Sequence, residues 1–111
     1  MGITKTDLFN VEQNELAQIA KAIAHPARVA ILQHLHKIEG CINSDLVQEI
    51  GLAQATISQH LRELKAVGLI QGNIEGTKMC YCINPAKWEE VGALFLQFFE
   101  LSKSGSGQSC C

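Results

Sequence analysis

Gln54-Ala55-Thr56-Ile57-Ser58-Gln59-His60-Leu61-Arg62-Glu63-Leu64-Lys65-Ala66-Val67-Gly68 is the stretch on which the fold turns. Ile57, Leu61, Leu64 and Val67 follow one another at steps of four, three and three, the stripe of an amphipathic helix that Gly68 closes. The other side carries Gln54, Thr56, Ser58, Gln59, His60 and Arg62, side chains that can reach base edges and phosphates in a major groove. Just upstream, Asn43 suits the N-cap of a short helix bearing Leu46, Val47 and Ile50, which Gly51 stops. Two helices joined by a tight turn, the second rich in short polar side chains, predict a helix-turn-helix.

Downstream, the period changes from helical to alternating. Leu69–Ile74 and Lys78–Ile83 flank Glu75-Gly76-Thr77 and predict a β-hairpin, with Met79, Tyr81 and Ile83 on one face and Cys80 and Cys82 on the other. Asn84 and Pro85 then open a last helix to about Leu101, rich in Trp88, Val91, Leu94, Phe95, Phe98 and Phe99. Upstream, Leu8, Val11, Leu16, Ile19, Ala20 and Ile23 predict a first helix over 7–24. Pro26 opens a second, with Val29, Ile31, Leu32, Leu35 and Ile38 inward, which ends at Gly40. The expected fold is mainly α with a β-hairpin wing, a winged helix-turn-helix of order ααααββα. Residues 1–101 are expected to form a single domain, and the Ser/Gly-rich 102–111 a flexible tail.

A chain of 111 residues, 47% hydrophobic and 18% charged, has the composition of one folded globular domain. Its longest apolar stretch, Val91 to Phe99, is broken by Gln97 and falls short of the roughly 20 residues a membrane span needs. No membrane partner is expected. Met1 to Asn10 contains Lys5 and Asp7 and does not read as a secretory signal, so a cytoplasmic location is expected. The net charge of −2 gives no general affinity for nucleic acid, but residues 51–87 are locally +2 while 1–50 and 88–111 are each −2. No catalytic triad grouping and no Gly-rich phosphate loop occurs, so an enzyme is not expected.

His25-Pro26-Ala27-Arg28-Val29-Ala30-Ile31-Leu32, Asp45-Leu46, Gln54 through Leu61, and Leu64-Lys65-Ala66-Val67-Gly68-Leu69-Ile70 resemble the ArsR/SmtB family of winged-helix repressors. With the wing and Tyr81, the resemblance covers about residues 12–101. It implies a homodimer whose first and last helices form the interface, a fourth helix that reads double-stranded operator DNA, and an inducer that releases it. On that footing the expected DNA-binding residues are Gln54, Thr56, Ser58, Gln59, His60, Arg62 and the wing's Lys78. The expected interface residues are Leu16, Ile19, Trp88, Val91, Phe95, Phe98 and Phe99. The greasy last helix points the same way independently, because so small a chain cannot easily bury four aromatics without a partner surface.

The sensor site departs from the family. Its Cys-x-Cys-Asp-Leu motif would place cysteines at Ile42 and Ser44, and Cys41 lies one position early. The family's alternative zinc site on the last helix needs a histidine, and none occurs from Pro85 to Leu101. The remaining soft candidates for a metal are Cys41, Cys80, Cys82, Cys110 and Cys111, which could take zinc or arsenite as inducer or undergo reversible oxidation. Among the basic side chains, His25 is expected to shape the start of the second helix, and Arg28 to contact a phosphate or pair with a carboxylate in the dimer. Two other functions stay open at this point: a thiol-based metal-handling or redox protein, and a winged-helix protein-interaction module without DNA binding.

Overall fold

The computed structural model describes residues 8–38, 46–74 and 80–100. Among these the elements run α1 (Val11–Ala22), α2 (Pro26–Lys37), α3 (Leu46–Ile50), α4 (Gln54–Ala66), β1 (Ile70–Asn73), β2 (Cys80–Ile83) and α5 (Pro85–Glu100), the expected order. The first two helices start at side-chain caps. Asn10 begins α1 later than the apolar pattern suggests, because its side chain accepts from the Gln13 amide at 2.7 Å while the Gln13 side chain accepts from the Asn10 amide at 3.0 Å. His25 caps α2, its Nδ1 accepting from the Ala27 amide at 3.1 Å with Pro26 in the first turn behind it. The expected roles of Asn43, Gly40 and the wing tip at Gly76 lie outside the described residues.

The interior is built from α2, α3, α4 and the hairpin: Ile31, Leu32, Leu35, Leu46, Ile57, Leu61, Leu64, Leu69, Ile70, Ile74 and Tyr81 form one buried cluster. The α4 stripe packs as its spacing predicts, except that Val67 is only half-buried. Val29, expected inward, is 41% exposed, because its place on α2 turns away from this cluster.

β1 and β2 are antiparallel, pairing Ile70 with Ile83, Gln71 with Cys82, Gly72 with Tyr81 and Asn73 with Cys80. The alternation on β2 holds at its centre: Tyr81 is buried and Cys80 is exposed. Gly72 permits the pairing, since at φ +114° a Cβ there would lie 2.2 Å from the Cys80 carbonyl oxygen and 2.8 Å from the Tyr81 Cα. Gly51, which ends α3, also has positive φ (+89°), but nothing lies within 4 Å of where its Cβ would be.

α1 and α5 lie side by side over the cluster. Ile19, Ile23, Leu69, Trp88, Val91, Gly92 and Phe95 surround an apolar cleft of about 170 Å³ between them. At one edge of this seam the Lys87 ammonium donates to Glu15 at 2.9 Å and Glu90 at 3.4 Å. The Lys87 hydrogen bond, followed by that of Glu90, holds the Glu15 carboxyl below its ordinary value, and Glu15 in turn raises Lys87. Among the described residues, no helix is long and apolar enough to cross a membrane.

Candidate nucleic-acid interface

α4 presents two unlike sides. Ile57, His60, Leu61 and Leu64 are buried, whereas Gln54, Thr56, Gln59 and Arg62 are exposed and Ser58 is half-buried. The outer side chains hold one another at helical spacing: Gln54 donates to Ser58 at 3.1 Å, Arg62 to Gln59 at 3.1 Å, and Gln59 to the Glu63 carboxylate at 3.2 Å. Such exposed bonds are worth about 1 kcal/mol net or less, so base edges and phosphates can replace them at small cost. Ala53 caps α4 without a side-chain acceptor, which leaves the first-turn amides to water or an anion.

The far end of α4 is joined to the hairpin. The Lys65 ammonium donates to the Gly72 carbonyl at 2.6 Å, fixing β1 to the helix. Arg62, Lys65, Ala66, Asn73 and Ile74 line an open groove of about 410 Å³ between helix and strand. Sequence reasoning missed both Lys65 and Gly72, because neither a cation in the last turn of a helix nor a glycine in a strand announces its partner. Lys78 lies outside the described residues.

His60 corrects the expectation of an exposed contact. Its side chain is 7% exposed, its Nδ1 accepts from Arg28 Nε at 3.0 Å, and its ring lies 4.5 Å from the His25 ring. The spacing held the clue, since His60 follows Ile57 by three and precedes Leu64 by four, an inner position. Within its own chain Arg28 donates through Nη1 to the Ala22 carbonyl at 2.9 Å and through Nε to His60; a phosphate or a carboxylate across a dimer would have to come from another molecule. Burial first, then the charges of His25 and Arg28, lowers the His60 pKa below the ordinary 6.5.

The residues expected at a dimer interface divide. Ile19 is 2% exposed within the single chain and belongs to its interior, a correction that follows from its place beneath Trp88 and Phe95. Trp88 and Val91 are half-buried against the central cluster, and the Trp88 ring meets His36 edge-on at 4.3 Å. Leu16 and Phe95 are also half-buried, while Phe98 (49%) and Phe99 (65%) stand out from α5 with their rings 5.2 Å apart.

Neither Cys80 nor Cys82 is in a disulfide; the first is exposed and the second half-buried with Gln71 Nε2 at 3.9 Å from its Sγ. Cys41, Cys110 and Cys111 lie outside the described residues. Among the described residues no three His, Cys, Asp or Glu side chains gather where they could hold a metal ion.

Comparison with known proteins follows the same lines. A helix-turn-helix domain family matches residues 23–72. The transcriptional repressor PagR of Bacillus anthracis is 32% identical over 87 residues, covering 78% of this chain and 85% of that protein. The HTH-type transcriptional repressor SmtB of Mycobacterium tuberculosis is 34% identical over 64 residues, 58% of this chain and 47% of its own length. The crystal structure of the transcriptional repressor BigR from Xylella fastidiosa superposes with a TM-score of 0.60 at 28% identity, covering 96% of this chain and 100% of that one.

Proposed function

The chain belongs to the ArsR/SmtB family of winged helix-turn-helix transcriptional regulators, and from that premise we propose that it is a dimeric repressor reading a near-palindromic operator with two copies of α4. The observation that carries this reading is the division of α4. One side is locked into the core by Ile57, Leu61 and Leu64, so the side bearing Gln54, Thr56, Gln59 and Arg62 is held outward in a fixed orientation. Gln59 and Arg62 supply base-edge contacts, and the uncapped amides at Gln54 and the groove beside Lys65 receive backbone phosphates.

The second copy docks on α1 and α5. Phe98, Phe99 and Leu96 of α5 and Val11 of α1 are all exposed in the single chain, which is costly in water. Covering a half-exposed phenylalanine contributes roughly 2 kcal/mol, so two rings from each copy make a substantial part of a stable interface.

Gln59→Ala combined with Arg62→Ala weakens binding to the DNA directly upstream of the coding sequence by about tenfold or more in fluorescence anisotropy, each lost base contact being worth about 1–3 kcal/mol. Scrambled DNA is the control. Unchanged affinity, or equal affinity of the wild type for both duplexes, refutes the assignment of α4.

A further inference from the structure

Besides the Tyr81 hydroxyl, His60 is the polar side chain buried in the interior among the described residues, and it belongs to the helix that reads DNA in the function proposed above, on which this inference rests. Its partners come from elsewhere: Arg28 from the first turn of α2 and His25 from the corner between α1 and α2. Arg28 is itself tied to the Ala22 carbonyl at the end of α1. We propose that His60 is the positioning residue of the reading helix: uncharged, it accepts from Arg28 and packs on His25, holding α4 to the α1–α2 corner, and on gaining a proton it releases α4 and weakens DNA binding.

The chemistry follows from the donors present. The Arg28 guanidinium has only N–H groups and no acceptor. It can therefore satisfy His60 only while Nδ1 keeps its lone pair, which places the ring proton on Nε2. A proton taken from solvent occupies that lone pair, so two donors then face each other across 3.0 Å. The charges acting on His60 are His25 and Arg28, both basic. No acid is among the charges acting on it: on the neighbouring elements Glu63 of α4 is exposed and accepts from Gln59, Glu49 of α3 is exposed, and the cation Lys21 at the end of α1 is exposed too. Because the imidazole is held below 6.5, the closed arrangement is fully favoured above that pH and is lost as the pH falls through the lowered value.

The test is operator affinity, by anisotropy at fixed salt, from about pH 8 to about pH 5.5, for wild type, His60→Asn and His60→Leu. Asparagine offers Oδ1 to Arg28 near the position of Nδ1 and does not titrate. Wild-type affinity falls by about tenfold or more across the range, whereas His60→Asn keeps at low pH whatever affinity it has at high pH. His60→Leu leaves the Arg28 Nε–H without an acceptor and binds more weakly than His60→Asn at every pH. Parallel profiles for wild type and His60→Asn overturn the proposal. Imidazole and amide NMR of the DNA-free wild type gives an independent answer: α4 amides that shift with the His60 titration support it, and α4 amides that stay still while His60 titrates overturn it. Should the wild type ignore the duplex at high pH, the DNA reading falls, and these amide shifts still decide whether His60 positions α4.

Discussion

Replacing Gly72 by alanine should cost this protein far more than replacing Gly51, although both have positive φ. An L-residue forced into the left-handed region loses about 1–2 kcal/mol, and at Gly51 that is the whole penalty, because the space around its Cβ is open. At Gly72 the new Cβ would lie 2.2 Å from the Cys80 carbonyl oxygen, where nonbonded atoms rest at roughly 3.5 Å. The strands must therefore part by about 1 Å. That separation weakens the ladder on both sides of the Gly72–Tyr81 pair and draws the 1%-exposed Tyr81 ring from the core. A hydrogen bond or two at about 1 kcal/mol each, with partial exposure of an aromatic ring, adds about 2–3 kcal/mol to the backbone strain. The total, about 3–5 kcal/mol, is a large share of the 5–15 kcal/mol that holds a domain of this size folded. Urea unfolding followed by the single tryptophan, Trp88, measures both variants directly. Should the two midpoints give stabilities within about 0.5 kcal/mol of each other, the close approach of β1 and β2 at Gly72 is wrong.

Phe98→Glu should convert dimer to monomer, weakening association by about a hundredfold or more, because a carboxylate buried without a partner costs several kcal/mol; sedimentation velocity reads this, and a persistent dimer moves the interface away from α5. The melting-temperature advantage of wild type over Glu15→Gln should be present above pH 4.5 and should shrink as the pH falls through the lowered Glu15 value, where the carboxylate facing Lys87 takes up its proton. An advantage that persists in acid would show that Lys87 does not draw on the Glu15 charge.

The helices and the hairpin were legible because their signals are local. The stripe of Ile57, Leu61 and Leu64, the Pro26 start and the alternation around Tyr81 each need only a few neighbours in sequence. What could not be read depends on where distant residues meet. Periodicity places His60 on the inner side of α4, yet nothing in the sequence says that Arg28, 32 positions earlier, will satisfy it. Ile19 likewise carries the pattern of a helix face without revealing whether that face meets α5 of its own chain or of another. The demand at Gly72 arises from the opposite strand and is invisible in Gln71-Gly72-Asn73 alone.

The bond between Lys87 and Glu15 joins positions 72 apart, whereas the helix-turn-helix and hairpin are assembled from segments that follow one another closely. Closing a long loop costs entropy before any contact rewards it, so the seam of α1 with α5 carries a larger closure cost than the contacts between successive segments from α2 to β2. The module that carries α4 thus rests on neighbouring segments, whereas the α1–α5 face proposed to receive a second copy rests on a long-range pairing.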